Sequence, residues 1–323
     1  MSSSPIKSVL VIGPGGNVGK STVKALLDEK FEVTGLTRES SEAILPEGVR
    51  HIKTDYSEES LRDAFKGQDA IISTISSIIP GAALTLQKSL VDSAISAGVK
   101  VFFPSEYGID TSDRSASEYI PFLVDKIQTV DYLKTQQDKI SWTAVITGSL
   151  FDWGLNIPGF GGLDVPERTA TIFDGGDISY EATNLDQVGR AIARSLKSPD
   201  LTKNQYVYVN SFTITQNKVL SALERATNQK FTLSEGTVED LWQDGATKLK
   251  EGQPLGTVSM IAASIYGKGG LASFSQTIGL WNKVLGLPQE DLDEFVRGYV
   301  ARGRLDQMIR GKPNQGCFVL GSK

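Results

Sequence analysis

The stretch Ser8–Thr22, SVLVIGPGGNVGKST, joins a short apolar run to a glycine-rich turn and then to a helical pattern. The run VLVI has the length of one buried strand. After the turn, Val18, Val23, Ala25 and Leu26 recur at helical spacing. A helix that begins directly after such a turn points unpaired N–H groups and a partial positive charge at whatever lies over the turn. The stretch therefore predicts a strand, a tight turn and a helix that can receive an anion.

The glycines of this turn fit the dinucleotide-binding fingerprint in its G-x-x-G-x-x-G form. Gly13 allows the tight turn, and Gly15 or Gly16 lets the backbone approach a pyrophosphate. Gly19 lets the helix pack on the strand. The predicted cofactor-binding turn comprises Gly13, Gly15, Gly16, Asn17, Val18 and Gly19.

Two other interpretations of the turn compete with this one. The run Gly19-Lys20-Ser21 ends like a phosphate-binding P-loop, but that motif needs a glycine where this chain has Pro14. Proline has no N–H to donate, so the spacing disfavours a P-loop. A structural turn that binds no ligand stays open on spacing alone, because glycine triplets are common.

Composition narrows the function classes. The chain of 323 residues suffices for one large or two modest domains. Its net charge of −5 gives no support for nucleic-acid binding. The single cysteine, Cys317, excludes an internal disulfide framework, and the single histidine, His51, leaves no His-rich metal site, so we predict no metal. We find no signal-peptide pattern and no apolar run of membrane length, and we expect a cytoplasmic protein.

Strand and helix patterns alternate along the first part of the chain. Strands are predicted at 9–12, 32–37, 49–54, 68–75, 100–103, 141–146 and 205–210. Helices are predicted at 57–65, 84–98, 186–196 and 214–227. This alternation predicts an α/β fold with a Rossmann-type, doubly wound parallel sheet. In such a sheet, ligands bind outside the carboxyl ends of the strands.

Arg38 follows the second strand and lies 19 residues after Gly19. An acid near this position would hydrogen-bond the ribose 2′-hydroxyl of NAD, whereas an arginine suits the 2′-phosphate of NADP. The position therefore favours NADPH as the cofactor. An ordinary surface arginine is the alternative interpretation.

Polar residues follow other predicted strands. Asp55, after the third strand, either faces the adenine edge or begins a helix. Thr74 and Ser76 end the fourth strand near the expected cofactor crevice. His51 lies inside a strand pattern rather than at a strand end, which favours a structural role.

The run FFPSEYGID, Phe102 to Asp110, resembles the F-x-P-S-E-F-G signature of the isoflavone reductase-like enzymes. These belong to the NmrA-like group of atypical short-chain dehydrogenases, and the resemblance covers roughly the first 150 residues well. Tyr107 stands where the family usually has phenylalanine. The resemblance implies NADPH-dependent reduction of an aromatic or conjugated small molecule, with Pro104 and Ser105 beside the cofactor.

The resemblance also implies that a lysine on the helix after this motif is the acid/base residue, and the matching position is Lys126. No tyrosine of this chain has lysine four residues later, so the Tyr-x-x-x-Lys motif of ordinary short-chain dehydrogenases is absent. Lys126 can donate a proton if burial or cationic neighbours lower its pKa, or it can hold the ribose hydroxyls. A solvated helix lysine is the third interpretation. For Glu106, we favour a structural role in the loop over proton transfer.

The second half of the chain is less regular. We predict an NADP-binding domain at 1–150, completed by about 182–230, and a smaller, mostly helical substrate-binding part at 151–181 and 231–323. Helices are expected at 237–250, 257–266 and 292–309, and a hairpin of 170–173 with 178–182 around the turn DGGD.

Glycines, a proline and three aromatic residues occupy Phe151–Gly162. This composition suits a mobile flap over a bound ring, or a loop whose aromatic side chains seal the core edge. The predicted substrate-contacting residues are Tyr107, Phe151, Trp153 and Phe160.

We therefore expect an NADPH-dependent reductase of secondary metabolism whose partner is a small-molecule substrate, with no nucleic-acid or membrane partner. The protein is expected to be a monomer or a homodimer. Two alternatives remain: an NmrA-like regulator that binds the dinucleotide without turnover, and a cyclase or isomerase on the same fold. The lysine at position 126 favours the enzyme, since a pure sensor would not need it.

Overall fold

The computed structural model describes residues 5–76 and 83–303. The strands are β1 Ser8–Ile12, β2 Glu32–Arg38, β3 Val49–Thr54, β4 Ala70–Ser73, β5 Val101–Phe103, β6 Ser141–Ile146, β7 Ser149–Leu150, β8 Leu163–Asp164, β9 Thr169–Phe173, β10 Tyr180–Thr183, β11 Gln205–Tyr208, β12 Phe212–Ile214 and β13 Thr232–Gly236. The helices are α1 Asn17–Asp28, α2 Glu58–Phe65, α3 Ala83–Ser96, α4 Ala116–Tyr119, α5 Leu123–Thr135, α6 Phe151–Leu155, α7 Leu185–Lys197, α8 Pro199–Thr202, α9 Gln216–Thr227, α10 Val238–Lys250, α11 Gly256–Ile265 and α12 Leu292–Ala301.

Seven parallel strands form the central sheet in the order β11-β6-β5-β4-β1-β2-β3. Along β1, Val9 and Val11 belong to the core on one face, which includes residues of α1 and α7, and Leu10 and Ile12 belong to the core on the other face. All four side chains are fully buried. Strands buried on both faces are typical of a doubly wound sheet, which confirms the predicted fold.

Helix α1 lies directly against α7. A Cβ built at Gly189 of α7 would lie 2.3 Å from the carbonyl oxygen of Ser21 in α1, so only glycine permits this approach. The Ser21 hydroxyl also donates a 3.4 Å hydrogen bond to Asp186. The returning helix α7 therefore fixes the helix that follows the glycine turn.

A third core lies outside the central sheet and is built largely from residues of the second half of the chain. It includes α9 to α12 and two three-stranded sheets, β12-β10-β7 and β13-β9-β8. The helices predicted there are confirmed as far as Ala301, and the rest of the helix predicted to reach 309 lies outside the described residues, as does Cys317. The description of this part as mostly helical missed both small sheets. Through residues 5–76 and 83–303, every helix is too short or too polar to cross a membrane.

The predicted hairpin of 170–173 with 178–182 is wrong. β9 pairs in parallel with β13 and antiparallel with β8, whereas β10 pairs with β12 and β7. Asp174, Gly175 and Gly176 all have positive φ, at 46°, 79° and 74°. A tight two-residue hairpin turn uses positive φ at two positions at most, and this longer left-handed run sends the chain into a different sheet.

Candidate functional site

The glycine turn after β1 has a geometry that demands two of its glycines. Gly13 adopts φ +80° and donates its N–H to the carbonyl of Leu36 at 3.1 Å. A Cβ at Gly19 would lie 2.1 Å from the carbonyl oxygen of Gly13. Any side chain at 19 would therefore push helix α1 away from the turn.

Gly16 differs, because the fold itself does not require it. Its φ of −74° and ψ of 175° suit any residue, and a Cβ added at this position would lie 3.4 Å from its nearest neighbour, the carbonyl oxygen of Gly13. Gly16, the N-cap of α1, has no side chain with which to cap the helix, and the first turn of α1 holds no acid. Gly16 and Asn17 are both exposed residues, so the N-terminus of α1 is open to solvent and can receive an anion.

Thr74 holds the turn from the neighbouring strand. Its hydroxyl lies 2.8 Å from the carbonyl of Ile12 and 3.0 Å from that of Gly13, and its N–H donates to Ile12 as well. These bonds tie β1, the turn and the end of β4 together. Ser76 is exposed just beyond this point.

Arg38 ends β2 with an exposed side chain. Across residues 5–76 and 83–303, its guanidinium makes no hydrogen bond and no ion pair. A guanidinium without an internal partner offers a planar fork of donors to an external oxyanion such as a phosphate.

Asp55 makes the contact expected of an acid that begins a helix, and its place at the adenine edge stays a prediction. Its carboxylate accepts the N–H of Ser57 at 2.9 Å, and this bond holds the pKa of Asp55 below its usual value. Ser57 in turn caps α2 by accepting the N–H of Ser60. His51 is also structural, with its Nε2 2.8 Å from the Thr37 hydroxyl.

The Pro104–Gly108 loop after β5 is tied to the ends of two other strands. The Ser105 hydroxyl donates to the carbonyl of Ile75 at 2.7 Å, beyond β4. The carbonyl of Gly108 accepts the N–H groups of Thr147 and Gly148, beyond β6. The loop therefore lies at the carboxyl edge of the sheet, as predicted.

The structure places Tyr107, which was predicted to contact the substrate, within the core. Tyr107 adopts φ +28° and donates its N–H to the carbonyl of Val145, and its side chain is only 7% exposed. The ring belongs to the core on the α1 side of the sheet and lines neither the apolar cavity described below nor the small cleft beside Lys126. This residue stabilises the loop from beneath.

Lys126 extends from α5 to the Pro104–Gly108 loop and donates to the backbone carbonyl of Glu106. Burial lowers the pKa of Lys126, and the Glu106 carboxylate partly opposes that shift. Burial raises the pKa of Glu106, a residue that is 2% exposed and whose carboxyl accepts a hydrogen bond from the hydroxyl of Thr111. A lysine with a lowered pKa at the carboxyl edge can give up a proton more easily than a solvated one.

A small apolar cavity of about 30 Å³ lies within the third core. Its wall includes Phe151 and Phe160, two of the predicted substrate residues. Trp153 does not line the cavity, and its ring packs edge-on against Phe160 at 5.5 Å. The cavity can enclose an apolar group but is smaller than an aromatic ring requires.

Sequence reasoning missed the polar residues of this cavity. The rings of Tyr180 and Tyr266 pack edge-on at 5.5 Å in the cavity wall, and burial raises the pKa of both phenols. Gly161 lies against them, since its Cβ would be 2.4 Å from the Tyr266 hydroxyl oxygen. Nothing local in the sequence links these residues, because they come from separate elements of the third core.

The parallel sheet, the glycine turn and the open N-terminus of α1 define a Rossmann-type protein. Residues 5–251 match the NmrA-like family, and the chain belongs to this family. It is 34% identical over 295 residues to Oxidoreductase aprR of Aspergillus flavus, covering 89% of this chain and 97% of that protein. It is 27% identical over 252 residues to Isoflavone reductase homolog IRL of Zea mays, covering 71% of this chain and 77% of that protein.

Solved structures share the fold. AtPrR2 with NADP+ and (+)pinoresinol has a TM-score of 0.76 at 22% identity, covering 92% of this chain and 100% of that one. The leucoanthocyanidin reductase–NADPH complex from Vitis vinifera has a TM-score of 0.73 at 18% identity, covering 91% and 99%. The resemblance drawn from the FFPSEYGID run is thus confirmed at the level of family and fold.

Proposed function

We propose that this protein is an NADPH-dependent oxidoreductase that reduces an aromatic or conjugated small molecule. The observation that carries the proposal is that the N-terminus of α1, Arg38 and the half-buried Lys126 all lie at the carboxyl edge of one sheet, and that Arg38 has no partner among the described residues. The relatives named oxidoreductase and isoflavone reductase homolog support it, as do structural neighbours that hold NADP+ or NADPH.

The cofactor-binding residues fit a dinucleotide phosphate. The Gly16 N–H is bonded to the Gly13 carbonyl at 3.1 Å, so the N–H groups of Gly15, Asn17, Val18 and Gly19 would hold the pyrophosphate at the start of α1. The helix dipole favours negative charge there. The Arg38 guanidinium would neutralise the 2′-phosphate. When bound, NADPH supplies the hydride, and the protein supplies orientation and charge control.

Lys126 is the proposed proton donor. Its hydrogen bond to the Glu106 carbonyl fixes the ammonium at the strand edge, and burial favours release of its proton. The second role open to the same group is to hold the ribose hydroxyls. Both roles place Lys126 at the nicotinamide end of the cofactor. Lys126→Ala distinguishes them: loss of a proton donor lowers the rate even at saturating NADPH, whereas loss of a ribose contact mainly weakens NADPH binding.

The substrate part is proposed to comprise residues 151–181 and 231–323, with the apolar cavity as its pocket. A ring-sized ligand needs more than the present 30 Å³, so we expect the loop Ile157–Gly162 to move when substrate binds. Positive φ at Gly159, Gly161 and Gly162 gives this loop conformations that other residues rarely adopt.

NADPH oxidation against a panel of aromatic enones, quinones and phenylpropanoid-type compounds tests the proposal. We expect turnover with at least one class and little with simple aliphatic carbonyls. Tight NADPH binding without turnover on any compound would support the regulator instead. Product formation without NADPH oxidation would support the isomerase or cyclase.

A further inference from the structure

Tyr56 lies two residues beyond the end of β3, next to the end of β2. In the parallel pairing of these strands, Arg38 is the register partner of Thr54. The chain segment that contains Tyr56 therefore leaves the sheet beside Arg38. None of the sequence patterns singled out this tyrosine.

The backbone of Tyr56 is held in a conformation that a bulky residue rarely adopts. Its φ is +63°, in the left-handed region. Two side-chain bonds hold this turn: the Tyr56 N–H donates to the Thr54 hydroxyl at 2.9 Å, and the Ser57 N–H donates to Asp55 at 2.9 Å. Strained residues held by their surroundings cluster at ligand sites, which makes this position a candidate for binding.

The side chain of Tyr56 is half-buried, and its ring packs against the core on the α2 side of the sheet. Within the described ranges its hydroxyl has no hydrogen-bond partner. Burial raises the pKa of Tyr56, and the guanidinium of Arg38 opposes that rise. The phenol is therefore anchored by its ring, and its segment leaves the sheet beside Arg38, whose guanidinium has no partner within the described ranges.

We propose that Tyr56 is a specificity-determining residue whose hydroxyl donates a hydrogen bond to the 2′-phosphate held by Arg38. The inference rests on the proposed NADPH-binding function. Arginine supplies charge to this group, and a phenol supplies a directional donor for a remaining phosphate oxygen. Because the ring is fixed by packing, the donor is in place before the cofactor binds.

The test measures dissociation constants of NADPH and NADH for the wild type, Tyr56→Phe and Arg38→Ala. Tyr56→Phe keeps the ring and removes only the hydroxyl. A hydrogen bond to a charged group corresponds to roughly a tenfold effect or more, so NADPH should bind about tenfold more weakly while NADH binding stays unchanged. Tyr132→Phe is the matched control, because that phenol bonds Asp92 on α3, and it should leave both constants unchanged.

Three outcomes would overturn the inference. If Arg38→Ala abolishes the preference for NADPH and Tyr56→Phe does not change it, the cofactor assignment stands and Tyr56 has no part in it. If Tyr56→Phe weakens both cofactors equally, the tyrosine contacts the adenosine or only shapes the loop. If neither variant changes the preference, the proposed NADPH specificity fails as well.

Discussion

At the residue scale, the proposed preference for NADPH depends on Arg38. Arg38→Ala should weaken NADPH binding by about 10- to 100-fold, because a hydrogen bond between charged groups contributes about 1.5–3 kcal/mol. NADH binding should change little, since NADH lacks the 2′-phosphate. Fluorescence titration with NADPH and with NADH measures the two affinities. Equal affinities of the wild type for NADPH and NADH would contradict the role proposed for Arg38.

Two glycines of the same turn should respond differently to substitution. Gly16→Val should leave the protein folded, because its backbone suits any residue, yet abolish dinucleotide binding, because the side chain occupies the space over the turn. Gly19→Ala should cost about 3 kcal/mol of unfolding free energy, since its Cβ would lie 2.1 Å from the Gly13 carbonyl. Circular dichroism, urea unfolding and NADPH titration separate the two effects. A Gly16→Val variant that still binds NADPH would make the turn purely structural.

Single residues are predictable where a motif fixes their chemistry. The places of Arg38 and Lys126 at the carboxyl edge follow from the strand pattern and from the FFPSEYGID run. The loop of Tyr107 lies at that edge too, which predicts a substrate contact, but its backbone conformation and buried ring take it into the core. A sequence does not reveal on which side of a loop a side chain lies.

At the scale of elements, the contact between α1 and α7 should be sensitive to one methyl group. Gly189→Ala places a Cβ 2.3 Å from the Ser21 carbonyl, and we expect a loss of about 1–3 kcal/mol in unfolding free energy. We also expect weaker NADPH binding, because α1 carries the turn. Gly298→Ala in α12 is the control: its Cβ would meet only the end of the Arg302 side chain, at 3.3 Å, and helix propensity should raise stability by about 0.5–1 kcal/mol. Equal effects of the two variants in urea unfolding would contradict the close packing.

The central sheet is predictable element by element, because each strand and helix carries its own apolar pattern. The two three-stranded sheets are not predictable in this way. β9 pairs with β13, about 60 residues further along the chain, and β13 is mostly exposed and lacks a clear alternation. Pairing between distant, polar segments leaves no local signal, so the DGGD turn resembles a hairpin in sequence and is not one in the structure.

At the scale of the whole molecule, a buried carboxylate joins separate segments of the second half. Glu181 on β10 is fully buried and accepts hydrogen bonds from the Asn210 side chain at 2.5 Å and from Thr213 at 2.7 Å. Its N–H donates to the carbonyl of Ala272. Glu181→Ala should lower the unfolding free energy by about 2–3 kcal/mol because it removes the buried acceptor of both bonds, whereas Glu181→Gln keeps an acceptor and should cost less. Urea unfolding of both variants checks the order, and equal losses would contradict it.

The pH dependence of turnover depends on how α5 packs against the sheet edge, because that packing partly buries Lys126. Burial lowers the pKa of Lys126 from its ordinary 10.5, and the Glu106 carboxylate partly offsets that effect. In the proposed mechanism the protonated Lys126 is the acid, so the rate should fall as pH rises through this lowered pKa. A rate that stays constant up to pH of about 10 would contradict a lowered pKa at a proton donor.

The central claim is that Lys126 donates a proton in an NADPH-dependent reduction. Single-turnover hydride transfer at saturating NADPH, with wild type, Lys126→Ala and Lys134→Ala compared, tests it most directly. Lys134 is a half-exposed lysine on the same helix and should behave as the wild type. We predict that Lys126→Ala lowers the rate by about 10²–10⁴-fold although cofactor is saturating. A wild-type rate in that variant at saturating NADPH would contradict the claim and leave Lys126 as a residue that only holds the ribose.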